Sequence, residues 1–361
     1  MSTSLGLVGL PNAGKTTVFN AITAAGAPAL NYPFCTIQRN VAVVPVPEPR
    51  LDLLASCLAP DEVKPATIEV IDIAGLVKGA HAGEGLGNRF LDDIRTVDAV
   101  LHVVRCFRQP TVVRAGGSAD PVADLQLVDT ELMLADLEVV QRRLDQHTKK
   151  AKAMGGVSST VVDLFSRIAS CLTAGRRISV DELSDEQLSY LEQEPLLTTK
   201  PCIVVANCDE DAVDVAAHEL QALVREALPR QVIPFPGAVE ADLSSIDEAE
   251  REEFYHELGL EHSRVPELLR AGFELLGLIT FFTVARNKLH AWRIRRGRTA
   301  LDAAALIHSD IAAGFVRADV FTAHDLVSHG SIGALRSAGK LRSEGREYEV
   351  RDGDVLYVHF Q

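Results

Sequence analysis

The chain lacks any apolar stretch of the roughly 18 residues that a membrane-spanning helix requires, and no two of its six cysteines form a C-x-x-C pair. The first absence predicts a protein without a transmembrane helix. The second speaks against a zinc ribbon or a dithiol redox site. Cys35, Cys57, Cys106, Cys171, Cys202 and Cys208 therefore read as free thiols of a reducing cytosol, not a disulfide frame. The opening "MSTSLGLVGL" has no basic stretch before its apolar part and runs straight into a motif, which is not the pattern of a signal peptide. Positive charge is also scarce: 36 Lys and Arg face 50 Asp and Glu, for a net charge of -14. A field of that sign repels nucleic acid, so any RNA contact needs a local basic patch. Apolar material is not scarce. Hydrophobic residues make up 47% of the chain, too many for a disordered one, and 361 residues allow two or three domains.

The run "GLVGLPNAGKTTVFNAI" holds Gly9-Leu10-Pro11-Asn12-Ala13-Gly14-Lys15-Thr16, a full match to G-x-x-x-x-G-K-[ST]. Its setting fits. Leu5 to Val8 predict a short strand before the loop, and Val18, Phe19 and Ile22 share one side of a helix after it. Glycine lets the backbone N–H groups from Asn12, Ala13 and Gly14 through Thr17 turn inward around phosphate oxygens, at the positive end of that helix. Lys15 then reaches the β- and γ-phosphates, and the Thr16 hydroxyl ligates Mg²⁺.

A second metal ligand is expected at the end of a buried strand. "ATIEVIDIAGL" supplies it: Ile68, Val70 and Ile71 build the strand and Asp72 ends it. Asp72-Ile73-Ala74-Gly75 fits D-x-x-G, in which the Asp holds Mg²⁺ and the Gly75 N–H meets the γ-phosphate. Between the two motifs, Thr36 in "NYPFCTIQRNVAVVPV" is the candidate for the switch threonine that closes over Mg²⁺ and γ-phosphate, ordered only with triphosphate bound. The other reading is an ordinary loop threonine. The residue after Gly75 is Leu76, where Ras-like enzymes carry a water-orienting Gln. A Leu side chain forms no hydrogen bond. Either hydrolysis is very slow or another group places the water, with Lys78, His81 and Glu84 the nearby candidates in a glycine-rich stretch. Asn12 either caps the loop or helps hold a monovalent cation beside the phosphates, where an arginine finger otherwise supplies charge.

"PCIVVA" predicts a buried strand, and "NCDED" follows where a GTP-binding chain often carries Asn-Lys-x-Asp. Asn207 keeps the first place. Cys208 has no long stem to cover a base, and Glu210 is one methylene longer than Asp. A site built to hydrogen-bond one group loses heavily when that geometry is disturbed. Adenine presents an N6 amino donor that the Asn207 amide oxygen can accept. Loss of guanine preference is expected, with Asn207 facing the purine. Glu210 is either part of that base site or a helix-start residue without base contact.

"GLPNAGKTT", "NYPFCTI", "DIAGLVKGAHAGEGLGN", "VVRCF" and the N-x-x-E of Asn207 to Glu210 together resemble the YchF/Obg-like ATPases, an Obg-related branch of the translation-factor class of P-loop GTPases. The C-terminal "AGKLRSEGREYEVRDGDVLYVHF" looks like that family's TGS domain. The resemblance implies an Mg²⁺-dependent NTPase that prefers ATP to GTP, ribosome association, a hydrophobic residue at Leu76, and stimulation by K⁺ through Asn12. The chain departs from the family at Gln38-Arg39, where Glu-Pro is usual. It also has Arg114 in "RQPTVVRAGG" at about the place of a loop His. A role for that His does not carry over. Arg114 is either an internal arginine finger or a solvated loop residue.

The apolar runs Leu5–Val8, Ile68–Ile71, Val97–Val104, Ile203–Ala206 and Val232–Phe235 alternate with helical segments, which predicts an α/β fold: a P-loop NTPase with a doubly wound sheet. "RNVAVVPV" adds an antiparallel edge strand. Helical spacing in "DTELMLADLEVVQRRLDQHTKKAKA", "TVVDLFSRIASCLTAG" and "EQLSYLEQ" predicts a coiled-coil-like helical insertion. The expected domains are 1–125 and 199–278 for nucleotide binding, 126–198 for the insertion and 279–361 for a β-grasp (TGS) domain. In the last, Asp352-Gly353 reads as a hairpin turn. "RNKLHAWRIRRGR" has no acid, so Arg286, Lys288, Arg293, Arg295, Arg296 and Arg298 form the candidate RNA-facing patch. There Trp292 is either a stacking group or core. The expectation is a cytoplasmic ATPase of low basal rate, switched by nucleotide on the ribosome. A true GTPase of ribosome assembly and a nucleotide-gated scaffold with negligible turnover are the alternatives.

Overall fold

The computed structural model of this chain describes residues 3–26, 40–76, 86–108, 120–154, 159–193, 195–213, 218, 220–222 and 230–361. The described strands are β1 Ser4–Val8, β2 Val41–Pro45, β3 Glu62–Lys64, β4 Thr67–Asp72, β5 Ala99–Arg105, β6 Cys202–Asn207, β7 Val232–Phe235, β8 Leu278–Ala285, β9 Lys288–Arg295, β10 Phe315–Thr322, β11 Arg342–Glu344 and β12 Asp354–Phe360. The chain divides into two compact units, Met1–Ala42 with Glu69–Val265, and Val43–Ile68 with Pro266–Gln361.

One sheet runs β2-β4-β1-β5-β6-β7. From β4 to β7 every pairing is parallel. At its edge, Asp72 N donates to Asn40 O at 2.9 Å and Val46 N to Ala66 O at 2.8 Å. Partner numbers fall as strand numbers rise, so β2 is the antiparallel edge strand that the sequence predicts. β5 "AVLHVVR" is buried along its whole length, as a strand covered on both faces must be. It buries two polar side chains, His102 and Arg105, and burial pushes the His102 pKa down to about 3.

The helix Pro121–Met154 runs for 34 residues. Its first part packs Val128, Leu132 and Ala135 against Val8, Val100 and Ile94. Asp129 on the same helix accepts from Arg177 and, at 3.2 Å, from Arg230. Asp136 accepts the backbone N–H groups of Leu197 at 2.9 Å and Thr198 at 2.7 Å. Removing either carboxylate would strand buried donors. Farther along, Val140 joins Val161, Leu164, Phe165, Ile168 and Leu172 of the helix Ser159–Thr173, with Leu191 of the helix Asp185–Gln193. The predicted helical insertion thus has a core of its own.

The second unit holds a mixed sheet, β11-β10-β12-β8-β9-β3. β8 and β9 form a hairpin that turns at Arg286-Asn287, both at positive φ. One face buries Phe282, Leu289, Phe321 and Val355 beneath Leu51 and Leu54 of the helix Pro49–Leu58. The other buries Phe281, Ile294, Val320 and Leu356 beneath Ala300, Ala303 and Ala304. The mixed sheet with helices on it agrees with the expected β-grasp. Two details differ. Residues 43–68, read from sequence as part of the nucleotide-binding domain, lie in this unit, because Leu51, Leu54 and β3 have their apolar and strand partners here. Asp352-Gly353 makes a turn but no hairpin: β12 pairs with β10 and β8. Among the described residues no helix is long and apolar enough to cross a membrane.

Candidate nucleotide-binding site

The loop between β1 and the helix Lys15–Gly26 has glycine where nothing larger fits. A Cβ on Gly9 would lie 2.4 Å from the Val103 carbonyl oxygen, and one on Gly14, at φ +91°, 2.0 Å from Asn207 Nδ2. Asn12 is exposed and takes φ +63°, a left-handed conformation that Asn tolerates better than most residues. The helix begins at Lys15, so its unpaired N–H groups and positive dipole end face the loop. The Lys15 side chain folds back over the loop, Nζ donating to Leu10 O at 3.0 Å and Gly9 O at 3.2 Å. Burial lowers its pKa, and the nearby Asp72 carboxylate opposes that shift. Gly75 comes against the same ammonium: a Cβ there would sit 3.0 Å from Lys15 Nζ and 3.1 Å from Pro11.

Parallel register sets Leu7 beside Asp72, so β4 delivers its carboxylate to the mouth of the loop. Thr16 Oγ1 donates to Asp72 Oδ2 at 2.9 Å. Burial raises the Asp72 pKa, while the Thr16 hydrogen bond and Lys15 pull it down. A hydroxyl and a carboxylate converging beside a phosphate loop suit Mg²⁺, a hard ion that takes one or two protein oxygens and completes its shell with water and phosphate. No cluster of three or more His, Cys, Asp or Glu residues able to hold a metal occurs among the described residues.

Asn207 is 4% exposed. Its Nδ2 donates to Ala13 O at 2.9 Å, and its Oδ1 accepts from Gly237 N at 3.2 Å. The side chain therefore ties the phosphate loop to the end of β6 and to the segment after β7. That role was not legible in the motif, since the partners are far apart in sequence. Both amide atoms are engaged, and Oδ1 keeps a second lone pair. Glu210 is exposed and opens a short 3₁₀ turn, Glu210–Ala212. Cys208 is buried, its thiol pushed up to about 11 by burial. Phe107 is a neighbour that sequence reasoning missed. It stands 3.7 Å from where a Gly14 Cβ would be, and the Arg105 guanidinium lies 4.5 Å from its ring centroid.

Leu76 is 1% exposed and packs with Val8, Ile73 and Phe90, while its N–H donates to Gly9 O at 3.2 Å. The side chain belongs to the core and the backbone to the loop. Thr17 is half-buried in the first helical turn. Thr36, Lys78, His81, Glu84 and Arg114 lie outside the described residues.

The structure does not assemble the predicted basic cluster into one patch. Arg286 and Lys288 stand at one end of β9 and Arg295, Arg296 and Arg298 at the other, about 20 Å apart at strand rise. Lys288 pairs with Glu62, which its hydrogen bond holds at about 2. Arg293 is spent on the Thr67 carbonyl and hydroxyl. Trp292 is half-buried, stacks on Phe281 and donates Nε1 to Thr283 Oγ1 at 2.9 Å, which settles it as core. Strand alternation also puts Lys288 on the opposite face from Arg293 and Arg295.

A family model described as "50S ribosome-binding GTPase" matches residues 4–136. The YchF-GTPase_C model, described as "Protein of unknown function (DUF933)", matches residues 278–361. The chain is 43% identical over 367 residues to the "Ribosome-binding ATPase YchF" of Escherichia coli O157:H7, covering 100% of this chain and 99% of that protein. The corresponding Bacillus subtilis (strain 168) protein is 40% identical over 364 residues, with 100% of both covered. The chain belongs to the YchF/Obg-like ATPase family. "Obg-like ATPase 1" of Rattus norvegicus is 37% identical over 99% of this chain and 92% of its own length. The solved "Structure of the Schizosaccharomyces pombe YchF GTPase" matches with a TM-score of 0.88 at 32% identity, covering 99% of this chain and 98% of that one. The family read from the motifs and the P-loop fold are thereby shown. In this YchF/Obg-like chain the phosphate loop, Asp72 and Asn207 form one hydrogen-bonded constellation.

Proposed function

We propose that this chain binds Mg²⁺–ATP in preference to GTP, hydrolyses it slowly to ADP and phosphate, and uses the bound nucleotide to control association with ribosomes in the cytoplasm. The observation that carries the reading is the meeting of Thr16 Oγ1 and Asp72 Oδ2 at 2.9 Å beside the Lys15 ammonium. Lys15 exchanges two loop carbonyls for the β- and γ-phosphates. The amides from Asn12 to Thr17 and that of Gly75 take the remaining phosphate oxygens. Thr16 and Asp72 would hold Mg²⁺, joined by Thr36 in the triphosphate state, and the ion would supply positive charge against the phosphates. Asn12 adds a ligand for K⁺ at the same phosphates.

Leu76 cannot orient water, and its burial keeps it away from the reacting atoms, which supports a low basal rate. The free lone pair of Asn207 Oδ1 suits the adenine N6 donor, and Glu210, one methylene longer than Asp, would not set its carboxylate where the Asp of Asn-Lys-x-Asp meets guanine. The relatives' names divide on the purine: the Escherichia coli and Bacillus subtilis proteins are called ribosome-binding ATPases and the Schizosaccharomyces pombe structure a GTPase. Competition of ATP and GTP against one fluorescent nucleotide separates the two. Tighter GTP binding rejects the adenine reading. Multiple-turnover phosphate release, with Asp72→Ala as control, tests hydrolysis. Release that Asp72→Ala leaves unchanged would favour a scaffold.

A further inference from the structure

The mixed sheet of the second unit carries a cavity of about 330 Å³ on the face that buries Phe321 and Val355. Strand register builds its floor. Asp319 of β10 stands opposite Tyr357 of β12, and Phe321 opposite Val355. Val355 also pairs with Phe282 of β8 in parallel register, which brings Val284 alongside Tyr357, since residues two apart share a face. The roof comes from the helix Ile332–Ser337. Ile332 and Arg336 are one turn apart on the same side of it, and both line the cavity. Leu326 and Leu335, both 0% exposed, fill the inner end of this face. Toward Tyr357 the helix offers only Ile332, which is 36% exposed, and the space beneath it stays open.

The polar groups at this cavity divide into spent and unspent ones. Asp319 is buried; its Oδ2 accepts from His359 Nε2 at 2.9 Å, and Arg317 Nε stands 3.7 Å from its Oδ1. Its charge is matched within the fold. Among the described residues the Arg336 guanidinium and the Tyr357 hydroxyl have no hydrogen-bond or ion-pair partner. Both residues are exposed, and the Tyr357 ring rests edge-on against His359 at 5.0 Å. The unspent charge is therefore positive. Small-molecule sites are concave and mostly apolar, with a few convergent polar groups, and this cavity has the size of the smaller ones. A guanidinium fork fits a planar carboxylate through two parallel hydrogen bonds. A dianionic phosphate would meet the Asp319 carboxylate at greater cost than a monoanion. Val284, Phe321 and Val355 offer burial to a hydrocarbon body.

We infer that the second unit binds a small carboxylic acid with an apolar body, its carboxylate on Arg336 and Tyr357 and its body on Val284, Phe321 and Val355. The full chain is titrated with phenylpropionate, hexanoate and indoleacetate, followed by saturation-transfer NMR of the ligand, with phenylpropanamide as the uncharged counterpart of the first. At least one acid should bind with a Kd of about 1 mM or tighter, and phenylpropionate more tightly than its amide. Arg336→Gln should weaken the acid about tenfold or more and leave the amide unchanged. Arg336→Lys should recover part of that loss. Ile332→Trp, which fills the cavity from its exposed rim, should block acid and amide alike. Arg336 is exposed, so its variants should melt as wild type does, and they decide the matter even if Ile332→Trp folds poorly. Equal acid binding by wild type and Arg336→Gln would overturn the site. So would an amide bound as tightly as its acid, or no transfer to any of the three acids at about 10 mM with folded wild type. Phenyl phosphate bound more tightly than every acid would replace the carboxylate by a phosphate, against the proposal.

Discussion

Replacing Asn207 by Asp should weaken the protein before any nucleotide is added. Asp has the same shape and keeps an acceptor for the Gly237 N–H, but it loses the Nδ2 donor that Ala13 O receives at 2.9 Å. A buried carboxylate oxygen would then face a carbonyl oxygen at hydrogen-bond distance. Leaving a buried acceptor unsatisfied costs about 1–3 kcal/mol, and an unpaired buried charge adds to that until the carboxyl takes up a proton. A loss of about 2–4 kcal/mol is expected at neutral pH, a large share of the 5–15 kcal/mol typical of a folded domain. Asn207→Ala should lose about as much, because it also strands the Gly237 N–H. Urea unfolding without nucleotide measures both, with the midpoint read against an unchanged slope. A loss below about 0.5 kcal/mol in both variants, joined to a large loss of nucleotide affinity, would refute the tie and leave Asn207 as a base reader only.

Gly75→Ala should push the Lys15 ammonium aside, given the 3.0 Å approach. Nucleotide affinity should fall about tenfold, or 1.4 kcal/mol, with a smaller change in melting temperature; unchanged affinity would contradict the packing. Leu76→Gln should not create a fast hydrolase. It buries an amide among Val8, Ile73 and Phe90, so about 2–4 kcal/mol of stability should be lost, and a kcat above wild type would contradict this. His102 sits folded at about 3 because of burial, below its ordinary value of roughly 6.5. The unfolded chain then binds the extra proton below about pH 6.5, so this contribution is full above that pH and is lost as pH falls towards 3, by at most about 1.4 kcal/mol per unit. His102→Asn should flatten the fall in stability between pH 6.5 and pH 5, and an equal slope in both proteins would exclude His102 as its source.

The phosphate loop and Asp72 were legible because their chemistry is local. Gly9 to Thr16 fix a backbone shape within eight residues, and the strand that ends at Asp72 announces itself by its apolar run. The antiparallel edge strand and the long insertion helices followed from spacing alone. Asn207 was recognised by position but not by work, since its bonds reach Ala13 and Gly237 and no local pattern encodes such partners. Leu76 read as a missing catalytic group, whereas its side chain completes a core with Phe90. The β9 cations read as a patch because a sequence lists them side by side, while the strand sets Lys288 and Arg295 at its two ends and Glu62 and Thr67 take up Lys288 and Arg293. Residues 43–68 crossed the expected boundary for a similar reason: Leu51 and Leu54 look apolar anywhere, and only the fold shows that Phe282 and Leu289 receive them.

The most direct test is calorimetric titration of Mg²⁺–ATP and Mg²⁺–GTP into wild type and Lys15→Ala. The account predicts one site per chain, ATP tighter than GTP, and a loss of about 10- to 100-fold in Lys15→Ala, the worth of a charge-assisted bond to phosphate. No heat from either nucleotide with folded wild type, or equal binding by Lys15→Ala, would contradict it.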